Sequence, residues 1–488
     1  MAPVATSARW QRKHTWLAVG VVSLALAAWR AHLVGLGPDP DSDAYGHHVI
    51  ARKVLDAPGA HGVHWVWLPL FHWLQVPLVA LGGTIDLVRY LNVAVWAAVP
   101  LVLAGYLMRD KTTHPLVAML AGFFCALCPI GMQMGTTAQP EPLFGLMLVG
   151  FAWAYDRRRF GWAAAVLSAA VLLRYEAWAV LLGVGLHQAF RLLRRRKLRD
   201  EDGWGFLAPV IAPGLAVLGW ALVRWPIDGR FLGFVLDTRR FATEVHASES
   251  AFEGGLLTGI RDCLYYVYDV AFRVYGWAIL LFPLGLWGVL RRHPGLSLSG
   301  LGALGFVTLT WVMRGTLGLD RHFVAVIPFY ATAMALGVES LVRLVRSRTD
   351  KSLAGAAVVL PAAAASLTVI AWGMVVWMGH WRGAIAGGFR DRLAVADFLR
   401  QVPEDAPIVC DEATVEVLSE LDRSRFERRS PAGEAGAERI LERSREQEIF
   451  VASWLGNLEH LRPHGTIVFR PKGAPEDGGL AVMVVPAR

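Results

Sequence analysis

The sequence predicts a polytopic α-helical membrane protein of about eleven transmembrane helices, followed by a small C-terminal α/β domain outside the cytoplasm. Hydrophobic side chains make up 55% of the chain and charged ones 18%, whereas a soluble protein carries charge on about a quarter of its residues. Apolar runs of about 20 residues, long enough to cross a bilayer, recur up to residue 379. Short apolar strands then alternate with polar helices.

The apolar runs are separated by short polar or basic segments, which predicts one helix per run. Residues 161–192 fit either two short helices that turn at Arg174-Tyr175-Glu176 or one long tilted helix. We interpret the first run as a retained helix rather than a cleaved signal peptide, because no small-residue cleavage site precedes the next charges. The predicted spans are 15–35, 85–107, 114–131, 141–156, 161–174, 176–192, 206–224, 271–290, 296–313, 323–342 and 353–378.

Basic clusters alternate with the spans. With a cytoplasmic N-terminus all of these clusters lie on the cytoplasmic side, as the positive-inside rule requires, and an odd number of spans carries the C-terminus outside. Basic residues outnumber acidic ones only before residue 380, so the sequence pI near 9.5 reflects membrane topology and we expect no nucleic-acid partner. The clusters are Arg109/Lys111, Arg157–Arg159, Arg191–Arg199, Arg291/Arg292 and Arg343–Lys351.

The chain therefore divides into a transmembrane domain, 1–379, and an extracytoplasmic α/β domain, 380–488. The first external loop is 36–84, and its second half is rich in tryptophan and proline, which predicts short helices in the membrane interface. A short loop with the sequence "GMQMGTTAQPEP" and a longer one at about 225–270 face the same side. In the last domain "APIVCDE", "EIFVASW", "GTIVFRP" and "LAVMVVP" read as strands, and "RLAVADFLRQV", "TVEVLSEL" and "AERILERSREQ" as helices.

An acidic run, Asp41-Ser42-Asp43-Ala44-Tyr45-Gly46-His47-His48, follows the first span. Charge at the end of a membrane helix indicates function, and a carboxylate there can act as general base on an acceptor hydroxyl or amine. Asp41 and Asp43 point in different directions in a strand or a helix. One of them therefore acts as base and the other positions it, or both bind a divalent cation. The competing interpretation is a solvated turn and helix cap.

The opening "DSDAY", the helix-like "HHVIARKVLD" and "WLPLFHWL" resemble the first external loop of GT-C glycosyltransferases, in particular protein O-mannosyltransferases and the aminoarabinose transferases of lipid A. "TTAQPEPLFGLMLVGFAWA", with Glu141, resembles the family's next loop and helix. "VLLRYEAW", with Arg174 and Glu176, and "LDRHFVAVIPFYATAMALGV", with Arg321 and His322, resemble two later motifs in the same order.

The resemblance implies an inverting glycosyltransferase that takes a sugar from a polyprenyl-phosphate donor and passes it to a protein, lipid or glycan acceptor on the external face. Asp43 is then the base, because it directly precedes the Ala-Tyr that begins the helix, and Asp41 supports it. Arginine suits bidentate phosphate binding. Expected substrate-binding residues are Arg174, Glu176, Arg321, His322, Glu141, Tyr45 and His48. The expected location is the bacterial inner membrane, with membrane lipids as neighbours and the C-terminal domain in the periplasm.

Other side chains at the same face are alternative phosphate or metal contacts. Arg239, Arg240 and Arg314 are alternative phosphate contacts, with snorkelling as the simpler role for Arg314. An ion pair with Glu176 is the simpler role for Arg174. A catalytic Mg²⁺ or Mn²⁺ held by Asp43 and Glu141, as in the distantly similar oligosaccharyltransferases, is a minor alternative, and no cofactor is firmly expected. Cys125 and Cys128 have C-x-x-C spacing but lie inside an apolar run with no second pair, so we expect small apolar residues rather than a zinc or redox site. The histidines of the first loop lack a compact metal-ligand spacing; these are His47, His48, His61, His64 and His72.

Two other functions fit the sequence. A transporter or flippase of lipid-linked sugars would show repeated halves and charge in the middle of the membrane, whereas the charges here fall mostly at helix ends and no repeat is visible. A membrane-anchored scaffold or receptor for the C-terminal domain would tolerate substitution throughout the first loop.

Overall fold

The computed structural model describes residues 3–194, 204–246, 250–348, 352–387, 389–427, 429–472 and 479–487. Parts of the basic clusters Arg191–Arg199 and Arg343–Lys351 lie outside these residues. The chain is mostly helical, with a small mixed β-sheet near its C-terminal end. It forms two compact units, of which the first comprises Met1–Leu36 and Ala51–Arg382 and the second Gly37–Ile50 and Gly383–Arg488.

Helices follow one another from the N-terminus to the second unit, interrupted by short 3-10 turns and by a π-helical turn at Tyr265–Val270. Their bounds are α1 Pro3–Val34, α2 Ser42–Asp56, α3 Leu70–Ala80, α4 Ile85–Arg109, α5 Pro115–Ala126, α6 Pro129–Met134, α7 Glu141–Asp156, α8 Phe160–Val171, α9 Glu176–Arg194, α10 Ala208–Asp228, α11 Gly233–His246, α12 Leu256–Leu264, α13 Ala271–Tyr275, α14 Leu281–Arg292, α15 Pro294–Val312, α16 Ile327–Arg348 and α17 Ser352–Gly387.

Several of these helices are long and apolar, which indicates an integral membrane protein. Among the described residues, seven helical stretches are long and apolar enough to cross a bilayer, and α3, α5 and α8 are shorter apolar helices. A helix occupies the position of each predicted span. The count of eleven crossings and the orientation of the chain remain predictions.

Helix boundaries differ from the sequence prediction in three places, one of which is the break of the predicted span 271–290 by a 3-10 turn at Gly276–Leu280. The expected helix 114–131 is two helices, because Pro129 begins α6 after a break at Leu127 and Cys128. The expected loop at 225–270 is largely helical, and the apolar stretch before α14 already starts at Leu256. Arg261 and Asp262 interrupt its hydrophobic pattern in sequence, but Asp262 accepts a hydrogen bond from Arg314 at 2.8 Å, which neutralises its charge.

Glycine allows close helix packing in the first unit. A Cβ at Gly285 of α14 would lie 1.8 Å from the carbonyl oxygen of Ala333, and one at Gly337 of α16 would lie 2.0 Å from that of Leu281. The two backbones therefore touch, which is the usual role of small residues between membrane helices. Residues 161–192 form two helices, α8 and α9, joined by a turn in which Leu173 and Arg174 both donate backbone hydrogen bonds to Ala170.

The second unit contains a five-stranded sheet of order β2-β1-β3-β5-β4. Strand β1 is parallel to β2 and β3, and β5 is antiparallel to β3 and β4. One face packs apolar residues such as Val451 and Met483 with Ile440 of α20, and the other packs Phe450 and Val482 with the helices before and after β1. The predicted strands and helices are present, and β2 is an unpredicted addition. The elements are α18 Arg390–Leu399, β1 Ile408–Cys410, α19 Ala413–Ser419, β2 Phe426–Glu427, α20 Gly433–Arg443, β3 Ile449–Trp454, β4 Thr466–Phe469 and β5 Leu480–Val485.

Candidate functional site

The acidic run lies in the second unit and begins α2. Asp41 precedes the helix, and its Oδ1 accepts a hydrogen bond from the backbone N–H of Asp43 at 3.0 Å. Asp39 Oδ1 accepts in the same way from the N–H of Asp41 at 3.0 Å. Asp41 is thus a helix cap, as the simpler interpretation of the run predicted. The Asp41 carboxylate thereby holds the backbone at Asp43.

Burial separates the members of this run. Asp41 and Asp43 are partly exposed, whereas Tyr45, His47 and His48 are buried. Asp39, which the sequence analysis did not single out, has no exposed surface. Burial of a carboxylate costs free energy unless the group is hydrogen-bonded or ion-paired. The position of Asp39 in a proline-rich turn gave no sign in the sequence that its side chain is buried.

A cluster of charged side chains forms in the first unit around Arg174. Its Nη1 donates to Glu141 Oε1 at 2.6 Å, and its Nε and Nη2 donate to Glu176 Oε1 at 3.1 and 2.7 Å. Nη2 also lies 2.8 Å from Nδ1 of His322. Arg321 completes the cluster, with its Nε 3.6 Å from Glu141 Oε1. The structure therefore brings together all five predicted site residues of the first unit, hereafter the Arg174 cluster.

Two helix N-termini supply the acids of the Arg174 cluster. Glu141 begins α7 and Glu176 begins α9, positions where the helix dipole favours negative charge. Their side chains are only 2% and 3% exposed, so each depends on Arg174 for charge compensation. Glu141 Oε2 is buried and, among the described residues, has no hydrogen-bond partner. This oxygen can accept a hydrogen bond from a hydroxyl or an ammonium group of a ligand.

The turn that carries Arg174 is held by the tryptophan-rich part of the first loop. Tyr175 donates its hydroxyl to the carbonyl of Val66 at 2.7 Å, and Leu70 donates its backbone N–H to Leu172 at 3.0 Å. The ring of Tyr175 stacks on Phe234. The loop thereby fixes where the guanidinium of Arg174 lies.

A second network holds the irregular segment that leads to Glu141. Asn92 of α4 donates to the carbonyls of Thr137 and Gln139 at 2.8 and 2.7 Å. Arg89 donates to the carbonyl of Thr136 at 2.9 Å, and Trp381 donates to the hydroxyl of the same threonine at 2.8 Å. These residues are not among the candidates from sequence, although a polar side chain inside an apolar helix is itself a signal of function.

The remaining sequence candidates have other partners. Arg314 pairs with Asp262 and lies over the ring of Trp311 at 4.8 Å, so it does more than snorkel. Arg240 pairs with Glu244 on the surface. Cys125 and Cys128 are free, buried thiols, which fits small apolar residues.

Among the loop histidines, His64 and His72 face each other with 2.8 Å between their Nδ1 atoms, so at least one ring is neutral. Burial and then the charge of Arg224 lower the pKa of His64 to about 3. In the described part of the chain no group of three or more His, Cys, Asp or Glu could hold a metal ion.

An apolar groove of about 730 Å³ lies between α9 and α15. It starts at Trp178, two residues after Glu176, and continues past Leu186, a distance of about 12 Å along the helix at 1.5 Å per residue. Gly305 contributes no side chain, and a Cβ there would meet no atom within 4 Å. Further lining residues are Leu182, Leu298, Leu301, Phe306 and Leu309.

No protein-family model and no curated protein matches the chain. Among solved structures it is similar to the cryo-EM structure of arabinofuranosyltransferase AftD from Mycobacteria, with a TM-score of 0.48 and 15% identity over 96% of this chain and 40% of that chain. A mutant of the same protein gives a TM-score of 0.47 and 14% identity over 96% and 41%. The chain thus spans less than half the length of the solved structures that it resembles.

Proposed function

We propose that the protein is an integral membrane glycosyltransferase that transfers a sugar, with inversion, from a polyprenyl-phosphate donor to an acceptor on the external face of the membrane. The order of the four sequence motifs and the character of the Arg174 cluster support this function. The proposed location is the bacterial inner membrane, with a cytoplasmic N-terminus and the sheet-containing domain outside.

The observation that carries the proposal is the meeting of Arg174, Arg321, Glu141, Glu176 and His322. An apolar groove adds to it, with a lining that begins at Trp178, two residues after Glu176. A lipid-linked sugar has an anionic phosphate between an apolar chain and a polar sugar. Arginines suit the phosphate, carboxylates and a histidine suit sugar hydroxyls, and a groove of this composition suits an isoprenoid chain.

Arg321 is the first arginine to test as the phosphate contact. Nε, Nη1 and Nη2 of Arg174 all contact protein groups, so a phosphate would have to displace a carboxylate to reach that side chain. Arg321 precedes the apolar helix α16 and lies in the same cluster, with its Nε 3.6 Å from Glu141 Oε1. In this assignment Arg174 holds the two glutamates in place, and Arg321 binds the donor.

The proposed reaction uses Asp43 as general base. Its carboxylate takes the proton of the acceptor hydroxyl while the acceptor oxygen forms a bond to the anomeric carbon, on the face opposite the phosphate. The bond between that carbon and the phosphate oxygen breaks, and its electron pair leaves with polyprenyl phosphate. Inversion at the anomeric carbon follows, because attack and departure occur on opposite faces.

The test is transfer by purified protein in detergent, with radiolabelled polyprenyl-phosphate mannose and a polyprenyl-phosphate pentose as donors. We expect Asp43→Asn to lower transfer by about 10²-fold or more, the usual contribution of a general base, and Asp41→Asn to lower it less. Asp405→Asn, an exposed acid elsewhere in the second unit, is the matched control. Full transfer by a normally inserted Asp43→Asn variant would refute the role of the first-loop acids.

A transporter would move the same lipid without cleaving it. We therefore expect polyprenyl phosphate to be released stoichiometrically with transfer. Movement of intact donor between the leaflets of reconstituted vesicles, without any release, would instead support a flippase.

A further inference from the structure

The acid-bearing segment 37–50 packs within the same compact unit as the C-terminal sheet. At its start, a Cβ on Gly37 would lie 2.8 Å from the carbonyl oxygen of Ile385, so any larger residue would force the two backbones apart. Eight residues later, the buried ring of Tyr45 meets the edge of Phe389 with 5.9 Å between ring centroids. The segment is thus fixed by contacts on both sides of Asp39, Asp41 and Asp43.

Phe389 is in turn fixed from the other side. The guanidinium of Arg392 lies 4.3 Å from the centre of its ring, within the range of a cation–π contact. Phe389 adopts a left-handed backbone conformation, with φ of 59°, which a bulky L-residue rarely adopts. Such a conformation persists only where surrounding contacts impose it, and Tyr45 and Arg392 supply them here.

Arg392 connects this contact to the sheet. Its Nε lies 3.3 Å from Glu412 Oε2, and its guanidinium lies 5.3 Å from the ring of Trp454. Trp454 donates its indole N–H to Glu412 Oε1 at 2.6 Å. Glu412 follows the carboxyl end of β1, and Trp454 ends β3. A continuous row of contacts therefore runs from the two central parallel strands to Tyr45.

We propose that the C-terminal domain positions the catalytic acids through this row, Tyr45, Phe389, Arg392, Glu412 and Trp454, hereafter the brace. Phe389 and Arg392 are positioning residues, since they act on Asp43 through Tyr45 and the first turn of α2. The inference rests on the proposed role of Asp43 in transfer. The brace gives a positioning role to the C-terminal domain, whose sequence shows no phosphate-binding loop and no catalytic triad.

The test combines hydrogen exchange with kinetics on the full-length protein. We expect Phe389→Ala and Arg392→Met to raise amide exchange in residues 37–50 and to lower kcat for polyprenyl-phosphate mannose at least fivefold, with the donor KM changed less than twofold. Phe389→Tyr keeps the ring and should retain both properties. Arg443→Met is the matched control, because Arg443 pairs with Glu446 on the surface of the same unit and has no place in the brace.

The outcomes separate the brace from the proposed function. Unchanged exchange at 37–50 in both Phe389→Ala and Arg392→Met would overturn the brace, as would raised exchange with unchanged kcat while Asp43→Asn is inactive. An active Asp43→Asn variant would overturn the proposed function instead, whatever the exchange shows. Should Phe389→Ala fail to insert, Arg392→Met decides alone, since its side chain is not part of the left-handed turn.

Discussion

Replacement of Arg174 by methionine should be among the most damaging single changes in the first unit. The substitution keeps an unbranched side chain of similar length and removes the charge and every hydrogen bond from the guanidinium. Glu141 and Glu176, at 2% and 3% exposure, would each lose their nearest cation. Loss of one partner from a buried ion pair costs about 3–5 kcal/mol, because the remaining charge stays desolvated.

Neighbouring groups limit the loss. Arg321 already lies 3.6 Å from Glu141 and His322 lies 3.2 Å from Glu176, so both can compensate in part. We therefore expect a loss near the lower end of the range, about 3 kcal/mol. The double variant Arg174→Met with Glu176→Gln also removes the buried charge that Arg174→Met leaves uncompensated at Glu176. It should therefore be more stable than Arg174→Met alone, with a coupling energy between positions 174 and 176 of about 1–3 kcal/mol.

The free energy of unfolding would be measured by SDS titration in mixed micelles, with tryptophan fluorescence as the signal. Arg443→Met serves again as control, since an exposed pair contributes about 0–1 kcal/mol. Transfer measured on the same variants separates stability from activity, and the double variant should remain impaired if the cluster binds donor. A loss below about 1 kcal/mol for Arg174→Met, indistinguishable from the control, would refute the interpretation of a buried charge network.

Three further changes test the surroundings of the site. Gly305→Leu should fill the apolar groove without a clash and raise the donor KM several-fold, whereas Gly373→Leu, equally unobstructed on another helix, should leave it unchanged. Asn92→Leu should lower kcat and lower the free energy of unfolding by about 2 kcal/mol, because the carbonyls of Thr137 and Gln139 before Glu141 would lose their hydrogen-bond donor. An unchanged kcat would contradict this role of Asn92. His64 stays neutral in the folded protein down to pH of about 3 but is protonated below about pH 6.5 when unfolded. Unfolding measured from pH 7 to 5 should therefore show stability falling as pH falls, by up to about 1.4 kcal/mol per pH unit from this group, and a smaller slope in His64→Asn.

Local sequence patterns predicted the parts of the fold that depend on neighbouring residues. Apolar runs located the helices, and the turn at Arg174 followed from charge between two runs. The Arg174 and Glu176 ion pair, two residues apart, was foreseen as the simpler role for that arginine. Strands β1, β3, β4 and β5 were visible as short apolar runs, whereas β2, at two residues, is too short to leave a pattern.

Long-range contacts could not be predicted from one sequence. Glu141 lies 33 residues before Arg174, and His322 lies 148 residues after it. Their motifs predicted the order along the chain and a shared face of the membrane, but no distance between side chains. The same holds for Tyr45 and Phe389, whose contact depends on residues 37–50 of the first loop belonging to the second unit. Sequence composition assigned that loop to the membrane domain, because it is flanked by apolar spans.

Buried arginines show what charge inside an apolar helix can mean. Arg30 of α1 is 1% exposed and donates to the sulfur of Met132 at 3.0 Å, and Arg89 of α4, with no exposed surface, donates to the carbonyl of Thr136. In apolar surroundings, carbonyls of irregular backbone must find donors within the protein, and guanidinium groups supply several in one side chain. Arg89 thus marks irregular backbone between α6 and α7, whereas Arg30 bonds a side chain of α6. Here that backbone leads directly to Glu141, so a charge inside an apolar run predicts the approach to a site as well as the site itself.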